Sequence, residues 1–144
     1  TGAVMPLAEW ERLFELSDRH GFVIASDECY SEIYFRATAP LGALEAASAL
    51  GRHGFRNLVA FTSLSKRSNV PGLRSGFVAG DAALLKAFLL YRTYHGSAMS
   101  PVVQQAAACC GFRPVAEAFG ARVGLMWIVG IGSFMAAASS VTIA

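Results

Sequence analysis

Charge is scarce in this sequence. Of its 144 residues, 15% are Asp, Glu, Lys or Arg, against about 25% in ordinary soluble domains, and they balance to only +2. So weak a field argues against a surface built to grip nucleic acid or an anionic membrane. Cysteine is scarce too. Cys29, Cys109 and Cys110 are odd in number and two are adjacent; no pair has the spacing of a metal-ligand set. Reduced thiols in a reducing compartment, and so a cytoplasmic protein, are the expectation. No basic start followed by an apolar stretch opens the chain, as a secretory signal would. It begins at Thr1, without Met, which suggests a segment cut from something longer. Repeats and low-complexity tracts are absent. What is plentiful is apolar side chain, 54% of residues, on a length that suffices for one domain with a core.

The pattern of those apolar residues gives the elements. "MPLAEWERLFELSDRHG" reads as a helix, with Pro6 in its first turn, Trp10, Leu13 and Phe14 on one face and Gly21 as its stop. The continuous run Phe22–Ala25 suggests a strand buried on both faces. A helix, a short turn and a buried strand make half of a βαβ unit, which predicts an α/β fold with a mostly parallel sheet and flanking helices. A short helical piece is expected over Leu44–Leu50, strands over Leu58–Phe61 and Gly76–Ala79, a helix capped by Asp81, and a further helix from Pro101 to Cys110.

Chemistry gathers after the first two strands. Asp27 stands at the carboxyl end of the first, where open α/β sheets bind ligands; a turn cap within "SDECYSE" accounts for it equally well. Tyr30 follows three residues on and reads alone as core. Lys66 comes after the second strand, where apolar surroundings can turn an amine into a nucleophile, although a loop lysine is the commoner fate. Ser63 and Ser65 offer hydroxyls on the same turn. Arg74, beyond "NVPG", has the fork that suits a phosphate. Arg67 reads as a surface charge. An amine, an anion site and a carboxylate at neighbouring strand ends suit pyridoxal phosphate.

With those residues in view, "SDECYSEIY" and "SLSKRSNVPGLRSGFVAGD" resemble the class I/II aminotransferases, the fold-type I pyridoxal-phosphate enzymes. The resemblance runs from Thr1 to about Ala106. It is closest to the N-succinyldiaminopimelate aminotransferase branch. It implies a partial large domain over residues 1–106, with Lys66 as the Schiff-base lysine, Asp27 on the pyridine nitrogen, Tyr30 on the ring's 3-oxygen, and Ser63 and Arg74 on the phosphate. It also implies amino-acid and keto-acid substrates, with transfer from glutamate to N-succinyl-2-amino-6-ketopimelate in lysine and diaminopimelate biosynthesis, and a homodimeric parent. A fold-type I lyase or synthase shares much of this site and remains an alternative, as does a non-catalytic chimera carrying a membrane segment.

Set against the resemblance, four parts of the family pattern are expected to lie outside these residues: an asparagine two residues before Thr1, the glycine-containing phosphate loop, the aromatic that stacks on the cofactor, and the small domain whose arginine grips the substrate carboxylate. The fragment alone is therefore expected to be inactive or nearly so. Residues 107–144 do not resemble the family. Within them, 123–144 carry no charge and are long enough for an apolar helix that spans a bilayer, which would give the tail a membrane contact. A segment joined out of frame and a buried core helix are the other two readings.

Overall fold

The computed structural model of the chain describes residues 3–96, 99–107 and 124–129. Helix α1 spans Leu7–His20 and ends where Gly21 turns left-handed, at φ +73°, to donate its N–H to the Ser17 carbonyl, a stop that glycine makes without strain. Trp10 and Phe14 stack on its inner face, their ring centroids 5.7 Å apart. They pack in one core with α2, Ala43–Ala49. Ala43, Ala46 and Ala47 of α2 are wholly buried, and side chains this small let the helix sit close to its neighbours.

Strand β1 is Ile24–Asp27, two residues later than the apolar run suggests. Phe22 and Val23 are exposed, and the Ser17 hydroxyl donates to the Phe22 carbonyl at 2.6 Å. Both residues therefore belong to the connection. The ladder starts where the Ile24 N–H reaches the Asn57 carbonyl. Nor is β1 buried on both faces: Ile24 is its one buried residue. Strand β2 is Leu58–Ser63, β3 is Ser75–Gly80 and β4 is Gly124–Val129. They lie in the order β1-β2-β3-β4, so β1 is an edge among the described residues.

The sheet is mixed, which corrects the expectation of a mostly parallel one. Only β1 and β2 run parallel; β2–β3 and β3–β4 are antiparallel. The cause lies in the connections. β1 returns to β2 through α2, a crossover long enough to carry the chain back along the sheet. Between β2 and β3 stand one helical turn, α3 (Leu64–Arg67), and a 3-10 turn, Pro71–Leu73. That is too little chain for a crossover, so β3 turns back alongside β2. The α/β class holds. The apolar helix expected over 123–144 does not hold where the structure can be read, because residues 124–129 form β4, paired along the whole of β3. Residue 123 and residues 130–144 of that expectation, Cys109 and Cys110, and the end of the helix expected to reach Cys110 all lie outside the described residues.

Helix α4 runs Ala82–His95 and α5 runs Pro101–Ala107. The sheet is sandwiched. Leu58, Ala60, Leu64 and Phe77 pack with α1 and α2. Val78 packs with Leu85, Phe61 and Phe88 on the α4 side, where the Phe61 and Phe88 rings meet edge to face. Among the described residues no helix is long and apolar enough to cross a membrane.

Candidate cofactor site

All five residues singled out in the sequence sit at one edge of the sheet. β1 and β2 are parallel and run to the same side; Asp27, the last residue of β1, lies opposite Phe61, and β2 goes on two residues further to Ser63. β3 runs the other way and starts there, Ser63 lying opposite Gly76. Arg74 immediately precedes β3, Lys66 is in α3 immediately after β2, and Tyr30 is in the turn after β1.

Lys66 lies in a helical turn rather than in an irregular loop, because Ser63 caps that turn. The Ser63 hydroxyl oxygen accepts the Ser65 N–H at 3.1 Å, and its single proton has the Ser65 hydroxyl at 3.0 Å and the Ser75 carbonyl at 3.2 Å as acceptors. The Lys66 ammonium is exposed and sits over the Tyr30 ring, 5.6 Å from its centroid, within the range of a cation–π contact. Tyr30 is therefore not the core residue it resembles in isolation: it is 61% exposed. Arg74 is exposed and donates to the Pro71 carbonyl at 2.9 Å. Its backbone is left-handed, at φ +51°, which costs a non-glycine residue about 1 kcal/mol. The buried Phe55, also at positive φ, has core packing to hold it there; the exposed Arg74 side chain has none. Asp27 accepts the Cys29 N–H at 3.1 Å. In turn, burial first and then the Asp27 carboxylate push the Cys29 thiol up to about 11. The structure thus joins Lys66 to Tyr30 directly and brings Ser63 and Arg74 together by register, while Asp27 stays engaged with its own turn.

Two carboxylates with no assigned role in the sequence also act here. Glu32 pairs with Arg67 at 3.4 Å, so Arg67 ties the loop after β1 to α3 and is more than a surface charge. Glu28 accepts the Ser26 hydroxyl at 3.0 Å and the Ala43 N–H at 2.7 Å. The sequence signal for Glu28 is slight, because its main partner lies fifteen residues away. Glu28, Glu32, Leu44, Arg67 and Phe77 are among the residues lining a cavity of about 260 Å³. None of the five candidate residues lines it, so this cavity adjoins the strand-end edge and is not the site itself. Among the described residues no group of three or more His, Cys, Asp or Glu is placed to hold a metal ion.

A family profile described as "Aminotransferase class I and II" matches residues 1–111; the chain belongs to that family, whose members depend on pyridoxal phosphate. It is similar to 4-dedimethylamino-4-oxo-anhydrotetracycline transaminase of Streptomyces rimosus, 37% identical over 105 residues that make up 73% of this chain and 28% of the relative. It is also similar to an LL-diaminopimelate aminotransferase of Desulforudis audaxviator, 33% identical over 108 residues, covering 74% and 26%. Among solved structures, an aminotransferase of Neisseria meningitidis matches with a TM-score of 0.69 and 68% identity, covering 73% of this chain and 26% of that one. The aminotransferase AspB of Helicobacter pylori matches with a TM-score of 0.69 and 43% identity, covering 83% and 32%. The chain spans 28% of the first of these relatives and 26% of the second.

The donor set fits the cofactor of that family. An exposed amine answers to an aldehyde, a phenol to a ring oxygen, a capping hydroxyl and a guanidinium together to a phosphate, and a carboxylate to a ring nitrogen.

Proposed function

We propose that this edge holds pyridoxal phosphate in an aminotransferase that moves an amino group between glutamate and a keto acid, N-succinyl-2-amino-6-ketopimelate. The observation that carries the reading is the convergence of Asp27, Tyr30, Ser63, Lys66 and Arg74 where β1 and β2 end and β3 begins. The substrate reading draws support from a relative named for diaminopimelate, which has the same carbon skeleton. Assembly of the whole enzyme as a homodimer belongs to the same proposal.

In this reading the Ser63 hydroxyl and the Arg74 guanidinium bind the phosphate, and the Arg74 fork fixes its orientation. Asp27 keeps a proton on the pyridine nitrogen, because an opposite charge favours the charged form. Tyr30 donates its phenol proton toward the ring's 3-oxygen. Lys66 would hold the cofactor through its aldehyde and, as the free amine, would take the substrate's Cα proton at Nζ and deliver it to the former aldehyde carbon rather than back to Cα. The cofactor, when bound, supplies the electron sink for the substrate carbon.

The sequence contains one internal control, since its only lysines are Lys66 and Lys86, and Lys86 is exposed on α4. The chain is incubated with pyridoxal phosphate, reduced with borohydride and peptide-mapped. At least about tenfold more label on Lys66 than on Lys86 is expected, a preference worth about 1.4 kcal/mol. Equal labelling overturns the site reading. The substrate is tested separately on the full-length enzyme, with glutamate as donor. Faster turnover of the succinylated keto acid than of its unsuccinylated counterpart supports the reading; the reverse order refutes it.

A further inference from the structure

Tyr30 is exposed, and its turn must nonetheless hold the phenol at Lys66. Something other than core burial has to fix that turn. Its backbone starts well anchored: the Glu28 N–H donates to the Phe61 carbonyl at 2.8 Å and the Ser31 N–H to the Glu28 carbonyl at 3.1 Å. The Glu28 side chain then reaches across to α2. Helix α2 has no side-chain cap of its own, since Gly42 occupies its N-cap position. The Glu28 Oε1 atom accepts the Ala43 N–H there at 2.7 Å while also taking the Ser26 hydroxyl at 3.0 Å. One carboxylate oxygen thus joins the last turn of β1 to the first turn of α2, and α2 is among the most buried elements of the fold. On the far side of Tyr30, the Glu32–Arg67 pair ties the same loop to the helical turn that bears Lys66. Tyr30 is bracketed.

We propose that Glu28 is a positioning residue for the cofactor edge: by capping α2 from the β1 turn, it holds Asp27 and Tyr30 in register with Lys66. The proposal rests on the site reading above. Its mechanism is reach and acceptor geometry rather than charge, because the partners of Glu28 are a backbone N–H and a hydroxyl, and an amide oxygen can accept from both. A carboxylate one methylene shorter falls about 1.5 Å short of Ala43 and cannot make the cap.

The test compares Glu28→Gln, Glu28→Asp and Glu28→Ala with the parent chain. The first readout needs no cofactor. In the parent, the Tyr30 ring is expected to shift the NMR signal of the Lys66 ε-methylene away from that of Lys86, and the Ala43 amide is expected to be slow in hydrogen exchange. Glu28→Gln is expected to keep both features. Glu28→Asp and Glu28→Ala are expected to lose the Lys66 shift and to speed Ala43 exchange by about tenfold or more. The second readout is the Lys66-to-Lys86 labelling ratio with pyridoxal phosphate, expected to fall toward one in the Asp and Ala variants and to stay with the parent in Gln. Should Glu28→Ala fail to fold, the Asp and Gln pair decides. If Asp behaves as the parent and Gln does not, charge rather than reach is at work and the proposal fails. It fails equally if all variants keep the Lys66 shift. A parent with no Lys66 labelling preference but a normal response to Glu28 in the first readout refutes the cofactor reading and leaves the anchor intact.

Discussion

Replacing Gly80 by alanine should be among the most damaging single changes in this chain. Gly80 closes β3 opposite Val59, with φ at +146°, a conformation open essentially to glycine alone. A Cβ built there runs into the Leu58 carbonyl oxygen and comes within 3.0 Å of both the Leu58 carbonyl carbon and the Val59 Cα. Every one of those atoms is backbone of the neighbouring strand, so no rotamer change relieves the clash. The strands must separate. The same Leu58 oxygen accepts the Asp81 N–H at 2.8 Å, so separation also endangers the link into α4.

Backbone strain of about 1–3 kcal/mol and two compromised backbone hydrogen bonds at about 1 kcal/mol each add to about 3–5 kcal/mol. That is a large share of the stability of a single domain. With a urea dependence of about 2 kcal/mol per molar, the unfolding midpoint should fall by about 2 M. Gly21→Ala is the control. It too has positive φ, +73°, but nothing lies within 4 Å of its added Cβ. It should cost only the left-handed penalty of about 1 kcal/mol, a shift of about 0.5 M. Equal midpoints for the two variants would refute the reasoning, because backbone angle alone would then account for both.

Three further perturbations separate other parts of the fold. Asp81 caps α4 through Ala83 and Leu84 on one oxygen and holds the Asn57 N–H at 2.9 Å on the other; Asp81→Ala should cost about 2 kcal/mol in urea unfolding, and Asp81→Asn about half as much, since one acceptor oxygen survives. The Arg52 hydrogen bond lowers the Asp18 pKa, burial opposes it in part, and the charges of Arg52 and Arg56 add smaller lowering effects; the Arg52 pair meets through two bonds of 2.6 and 3.0 Å. A depressed folded-state pKa adds stability above the unfolded value near 3.8 and loses it as pH falls through the folded value. Asp18→Asn should therefore be less stable than the parent at pH 6 by a few tenths to about 1 kcal/mol, with the gap closing below about pH 4. Because its thiol is pushed up to about 11, Cys29 should alkylate far more slowly at pH 8.5 than a free thiol, and Asp27→Asn should speed it, as read by peptide mapping. An unchanged rate in that variant would show that burial alone protects the thiol.

Local chemistry was legible in the sequence wherever it is contained within one segment. The Asp81 cap, the Gly21 stop and the core helices follow from periodicity and end signals, and the candidate cofactor residues were singled out by side-chain type, spacing and family resemblance. What the sequence did not show are contacts set by the third dimension. Nothing in "FVIA" reveals that Phe22 and Val23 are drawn into a connection by the Ser17 hydroxyl, or that β1 lies at an edge among the described residues. Nothing near Glu28 points to Ala43. The apolar, uncharged stretch beginning at residue 123 reads as a helix by length and composition. Yet Gly124–Val129 pairs as a strand, because β3 offers it a complete ladder, and tertiary pairing outweighs a local preference that its glycines already weaken.

The direction of β3 decides where Arg74 lies relative to Ser63, and the sequence did not show that direction. A residue eight positions after Lys66 has no fixed place until the strand that follows it has a direction. Were β3 parallel to β2, its first residue would lie at the far end of the sheet, and Arg74 would stand about 20 Å from Ser63, six residues at about 3.3 Å each. Because the short link through α3 and the 3-10 turn forces β3 back antiparallel, its beginning meets the end of β2 at Ser63 and Gly76. The left-handed Arg74 is the last step of that reversal. The spacing between the lysine and the arginine is thus set by the shortest path that turns a chain around while keeping both of its ends at one edge. The left-handed strain at Arg74 comes with the turn.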